Sequence, residues 1–309
     1  MLWVLLALTG AVTNAGYYIA TKKMLRSIHP HVLAAGSFLT TAFFLLFIAS
    51  RSGIPVIGDR FLFAVAITTS LNVIATILTY RALATTDISL AIPMISFTPV
   101  FLIATSFIIL HELPTIGGII GILFIVSGSY VLNLSPGQKN IADPVRSIAQ
   151  HPGVLYMLIV AFLYAIAVNF DKMVVQESDT VFGSAVVCLV IGTAFVIIAF
   201  FSLRNADIQH EIKKDVRPSD ELKPVSSGRR YPWIAGAFIF IGILLTIESI
   251  VINYAYTLQI VPYVIAFKRM SIILIVLSGA IIFHESNIGR RLVGAGLMVL
   301  GAVLILLTL

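Results

Sequence analysis

The sequence predicts an all-α membrane protein of ten transmembrane helices, arranged as two inverted five-helix repeats. Composition, the length of the apolar runs and an internal repeat each point that way. The 309 residues are 59% hydrophobic and 11% charged, with a mean hydropathy of +1.03. A soluble domain carries about a quarter charged residues, so this chain could not cover a water-exposed surface. Disordered chains are charge-rich and apolar-poor, which excludes that class as well. The formal net charge of +6 does not point to nucleic acid, because the basic residues lie mostly between apolar runs.

Taken in order, the first apolar run covers roughly 2–20. It has no basic residue before it and is followed by Lys22, Lys23 and Arg26, the reverse of a signal peptide's charge order. Runs two to five cover roughly 31–50, 61–80, 88–110 and 116–133, the fourth carrying Pro93 and Pro99. Runs six to ten cover roughly 153–170, 181–203, 232–256, 260–283 and 291–309, with Pro262 opening the ninth. Each has the length a helix needs to cross about 30 Å of hydrocarbon, at 1.5 Å per residue. None alternates apolar with polar residues, as barrel strands would. The single cysteine, Cys188, has no partner for an intrachain disulfide. In the polar stretch 204–231 basic and acidic residues interleave, which fits a solvated linker. It holds no Gly-rich loop ending in Gly-Lys-Ser/Thr, so nothing in it suggests a nucleotide-driven pump.

Lysine and arginine set the expected orientation. Outside the spans, Arg51, Arg60 and Lys172 fall on one side and every other basic residue on the other. The odd-numbered loops are therefore expected in the cytoplasm and both termini outside.

His111-Glu112 ends the fourth run and His284-Glu285 the ninth, 173 residues apart. At the same offset Gly121 falls on Gly294, Gly128 on Gly301 and Ala82 on Ala255. Lys23-Met24 closes helix 1, and Lys172-Met173 echoes it at helix 6. The chain thus divides into a first repeat over 1–133, a linker over 134–152 and a second repeat over 153–309. Five is odd, so the second repeat enters the membrane inverted. Inverted repeats with a midplane site between the halves are a hallmark of secondary transporters.

Two five-helix halves, each closing with an acidic junction (His111-Glu112-Leu113, His284-Glu285-Ser286) and a glycine-spaced last helix, resemble the drug/metabolite transporter superfamily, EamA-type permeases. The resemblance covers nearly the whole chain. It implies ten helices around a central cavity, the fifth and tenth peripheral, and a substrate drawn from amino acids, sugars, nucleotide sugars, sugar phosphates or drugs. Phe267-Lys268-Arg269-Met270-Ser271 resembles the Lys-Arg pair in helix 9 of the phosphate-sugar branch, while the rest of that branch's pattern is not evident.

A charge inside the hydrocarbon layer is costly unless paired or hydrated, which makes it a candidate functional group. Glu248 precedes the turn near Gln259, and Lys268 and Arg269 follow it. All three lie roughly 14–16 Å from the same surface. One reading is a cavity in which Lys268 and Arg269 bind a phosphate or carboxylate while Glu248 balances charge or carries a coupling proton. The other is a structural ion pair between helices 8 and 9. Tyr17, Asn72, Thr76 and Asn169 are candidate cavity-lining residues, each equally open to an interhelical contact. The His-Glu pairs fall on opposite faces, so no metal site is expected; they fit helix caps. Lys23 and Lys172 are expected to snorkel, Asp171 is placed to pair beside Lys172, and Trp3 and Trp233 are expected as interface anchors. Prolines place a bendable element in helices 4 and 9.

The leading expectation is a secondary transporter of a small organic solute in the plasma membrane, with the lipid bilayer as its surroundings. It is expected not to be an enzyme and to use no cofactor, and a homodimer is compatible with the pattern. Export of amino acids or cationic drugs is the alternative. A membrane-embedded enzyme or a non-transporting partner stands behind it, and solute counterflow separates these.

Overall fold

The computed structural model describes residues 1–86, 91–132, 152–204, 230–275 and 288–308. These form α1 (Leu2–Met24), α2 (Pro30–Ser52), α3 (Phe61–Thr85), a 3-10 segment (Ile92–Phe97), α4 (Thr98–Leu110), α5 (Ile116–Leu132), α6 (Pro152–Gln176), α7 (Thr180–Arg204), α8 (Arg230–Leu258), α9 (Val261–Lys268) and α10 (Ile288–Leu307). Six of them, α1, α2, α3, α6, α7 and α8, are long and apolar enough to cross a membrane. Met94–Leu110, Ile116–Val131 and Val293–Leu307 are shorter apolar helices. The ninth run is described only as far as residue 275, and nearly all of the expected linker, the polar stretch and His284-Glu285 fall outside the described residues.

The helices form because their apolar runs are long and their backbone groups have no other partner in hydrocarbon. Buried faces are rich in small residues, including Ala7, Ala11, Ala34, Ala161 and Ala165, which let backbones approach closely. Phe43, Phe47, Leu62, Phe63, Phe200 and Phe201 each expose more than half their surface, an outward apolar belt suited to lipid.

Packing follows the repeat. The most extensive pairings are α5 with α10, α2 with α7, α3 with α6, and α1 with α8. Exchanging the halves maps the first two pairs onto themselves and the last two onto each other. The smaller pairings α4–α6 and α1–α9 exchange in the same way. In α5 and α10 the glycines that match in sequence meet crosswise. A Cβ on Gly121 would stand 2.6 Å from the Gly301 carbonyl oxygen, and one on Gly128 would stand 2.6 Å from that of Gly294. Residue i meeting the counterpart of j, and j the counterpart of i, is the signature of a two-fold contact.

Both broken helices lie where the repeat puts them. In the first half the backbone runs as a 3-10 helix to Phe97 and as an α-helix from Thr98. In the second, α9 stops at Lys268 and helix resumes at Ser271. Adding 173 to Phe97 and Thr98 gives Met270 and Ser271. The second break contains no proline: Pro262 sits in the first turn of α9, where its missing N–H costs nothing. Bonds from Met270 N to Phe267 O and from Ile272 N to Arg269 O tighten the backbone into a 3-10 turn instead.

Two boundary expectations need correction. α6 runs on to Gln176, so Asp171 and Lys172 lie inside the helix rather than after it. Trp3 is buried and meets Phe267 edge-on at 5.0 Å, so it is a packing residue rather than an interface anchor. The cause is the α1–α9 contact, which covers the start of α1. Trp233 is 46% exposed.

Candidate functional site

A cavity of about 160 Å³ lies among α1, α3, α6, α7, α8 and α9. Its polar lining includes Asn14, Tyr17, Asn72, Asp171, Glu248, Lys268 and Arg269. It runs from mid-membrane toward the face where α6 and α8 end, reaching Val174 and Tyr256, each two residues from the end of its helix.

The depth arithmetic for Glu248 and Lys268 gives a contact: Lys268 Nζ lies 2.6 Å from Glu248 Oε1. Asn14 Nδ2 donates to the same oxygen at 3.1 Å, and Ser271 Oγ donates to Asn14 Oδ1 at 3.2 Å. One α1 asparagine therefore joins α8 to the second piece of the broken helix. Arg269 is placed differently. It is 3% exposed, its Nη2 donates to Thr98 Oγ1 at 3.0 Å, and its Nε has no hydrogen-bond partner among the described residues. No carboxylate oxygen stands within 4 Å of it among those residues. Lys268 thus forms an ion pair with Glu248, whereas Arg269 lines the cavity with no acid within 4 Å among the described residues. The break in α9 puts these two side chains together, since Arg269 occupies the tightened turn itself.

Of the other candidates, Tyr17 and Asn72 line the cavity. Tyr17 Oη donates to Tyr80 Oη at 3.3 Å, and Asn72 Nδ2 donates to Thr68 Oγ1 at 2.9 Å. Thr76 and Asn169 are buried and are not among the lining residues. Asn169 Nδ2 instead donates to Ala165 O at 2.7 Å and to Thr105 Oγ1 at 3.2 Å, tying α6 to α4.

Asp171 is the charged lining residue that sequence reasoning missed as a candidate. Thr68 Oγ1 donates to its Oδ1, and no lysine or arginine nitrogen is within 4 Å among the described residues. The unbroken apolar run stops at Phe170, yet Met173, Val174 and Val175 continue it on the helical period, the signal that keeps Asp171 inside the membrane.

Lys172 does not snorkel and does not pair with Asp171. It is 7% exposed and reaches Glu112 Oε1 at 2.5 Å and the Gln259 carbonyl at 3.2 Å. Glu112 Oε2 accepts from Val261 N at 2.9 Å and Ser106 Oγ at 3.2 Å. Burial leaves the ammonium little exposure to water, and it takes the carboxylate that the α4 junction supplies. Glu112 thereby caps the start of α9, a helix in the other half, while His111 closes α4 in the left-handed conformation at φ 56°. The lysine-to-carbonyl part of this contact recurs at the end of α1 with one residue's shift. Lys22, rather than Lys23, donates to the Leu83 carbonyl and, at 2.9 Å, to that of Thr86, whose repeat counterpart is Gln259.

A solved structure described only as the crystal structure of a protein aligns with a TM-score of 0.70 over 99% of this chain and 97% of its own, at 15% identity, a likeness of fold. No curated protein matches. The profile of the EamA-like transporter family matches residues 1–134 and again 151–307, nearly the whole length in two copies. With its two matched halves and apolar spans, this integral membrane protein belongs to the EamA-like transporter family.

Proposed function

We propose that the chain is a secondary transporter that carries a small solute bearing a carboxylate or phosphate across the plasma membrane by alternating access. One observation carries the anionic preference: Arg269 lines a cavity with no carboxylate within 4 Å of it among the described residues. A desolvated guanidinium is a standing site for an oxyanion, which its planar fork binds through two parallel bonds. Lys268, held by Glu248, is a second cation that a bound anion can draw away. The alternating movement is read from the breaks at the same repeat position in the two halves, because a 3-10 stretch within a helix gives a natural hinge.

The reading is tested in two steps. A thermal-shift screen of the purified protein against amino acids, sugar phosphates and cationic drugs identifies ligands through the rise in melting temperature. Counterflow of each hit in proteoliposomes then establishes transport without chemical change. Anionic hits that lose their shift in Arg269→Gln support the proposal. Hits confined to cationic drugs, unaffected by Arg269→Gln, replace it with cation export.

A further inference from the structure

We infer that Asp171 is a proton-binding site of the transport cavity, the one that compensates the charge of an anionic solute at Arg269. This deepens the anion reading above and rests on it. Among the described residues, the charged groups lining the cavity are two acids, Asp171 and Glu248, and two cations, Lys268 and Arg269. The empty cavity is therefore balanced, and a monoanion entering alone leaves it with one uncompensated negative charge in a medium that tolerates none. A proton is the smallest compensating cation, and it goes to the acid least engaged.

Geometry separates the two acids. Glu248 accepts from Asn14 and is paired with Lys268 at 2.6 Å, so protonating it breaks a buried ion pair. Asp171 has no cation within 4 Å among the described residues and is held by a neutral hydroxyl, that of Thr68, which in turn accepts from Asn72 at 2.9 Å. The titratable and charged groups around Asp171 come from every neighbouring helix. They are Lys268 and Arg269 at the break after α9, Glu248 and Tyr256 on α8, Cys188 on α7, Tyr164 on its own helix, and Tyr17 and Tyr18 on α1. α3 contributes only the neutral Thr68 and Asn72. Lys268 is paired with Glu248 and lines the same cavity as Asp171. A solute that draws Lys268 toward itself thus also rearranges a positive charge of the cavity that Asp171 lines.

The proton balance is simple. A proton taken up from the bulk solution on the entry side joins the Asp171 carboxylate as the anion docks, the two cross with no net charge, and both leave on the other side. No further reactant is required.

The test uses the proton itself as probe and needs no solute. Protein reconstituted in nanodiscs is titrated from mildly alkaline to mildly acidic pH, and the infrared carbonyl stretch of protonated carboxylic acid is recorded. A component that grows on acidification in the wild type and in Glu248→Gln, and that is missing in Asp171→Asn, is the expected result. Asp171→Glu keeps a carboxyl component. Thr68→Val keeps the component and moves its frequency, because the hydroxyl bonded to the carboxyl group is gone. Persistence of the whole signal in Asp171→Asn, or its loss in Glu248→Gln alone, overturns the assignment. If the melting screen finds no anion while the Asp171 component is present, the anion reading has failed and the proton site has not. Amino-acid binding with Asp171 still ionised would place the ligand's ammonium there and overturn the proton assignment.

Discussion

The strap between the halves can be dissected by removing Lys172 and Glu112 singly and together. The two charges meet at 2.5 Å with side-chain exposures of 9% and 15%. At an effective dielectric constant of about 20 the gross attraction is roughly 7 kcal/mol, most of it offset by desolvation of the two ions. Breaking such a pair from one side strands a buried charge and costs about 3–5 kcal/mol. Glu112→Ala is the more damaging change. It leaves Lys172 with only the Gln259 carbonyl and removes the acceptor for Val261 N and Ser106 Oγ, a lost cap adding about 1 kcal/mol. Lys172→Met leaves Glu112 with both of those donors, so it should fall at the low end of the range. In the double variant no charge is stranded, and the total should be about 2–3 kcal/mol less than the sum of the singles. Denaturant unfolding of nanodisc-embedded protein, followed by circular dichroism, measures all four species. Additivity to within about 0.5 kcal/mol would refute the reasoning, because it would mean that the two side chains do not act on each other.

Three further outcomes are expected. Gly128→Ala should destabilise by about 1–3 kcal/mol in the same assay, because its Cβ would meet backbone on α10 at 2.6–2.7 Å; Gly236→Ala, with nothing within 4 Å, should be neutral or slightly stabilising. Lys268→Gln and Arg269→Gln variants that insert at normal levels should lose uptake of an anionic solute by at least about tenfold, since one charged hydrogen bond is worth about 1.5–3 kcal/mol; unchanged uptake in both reduces the cluster to structure. Epitope tags at either terminus should be reached by antibody on intact cells, as the positive-inside bias requires; labelling only after permeabilisation would reverse the orientation.

The six long spans were legible because membrane helices are set by length and composition, and those signals survive any tertiary arrangement. The glycine matches were legible as spacing, and the crosswise contact gives that spacing its reason. The level of Glu248 with Lys268 followed from rise per residue alone. The break after Lys268 was not legible at its position: no proline or glycine lies there, and the turn is accompanied by Arg269 reaching Thr98 and Ser271 reaching Asn14, contacts across 171 and 257 residues. Lys172 was misread for the same reason. A lysine near a helix end snorkels by default, and only the partner helix decides that a carboxylate reaches it first.

The repeat also separates what the halves share from what they do not. The crosswise glycines, the paired breaks and the lysine straps at Thr86 and Gln259 occur in both halves. The cavity charges occur in one. At the offset that aligns the glycines, Glu248, Lys268 and Arg269 fall on Ala75, Ile95 and Ser96; at the one-residue shift that aligns the straps, Asp171 falls on Thr21. A motion that exchanges the roles of the halves needs equivalent hinges and equivalent interfaces, so those features must be kept twice. A solute needs one charged surface, and duplicating it would place four acids and four cations in a cavity of about 160 Å³, at a desolvation cost of several kcal/mol per ion. On the proposed mechanism, selectivity can therefore change by substitution in the second half while the shared elements stay as they are.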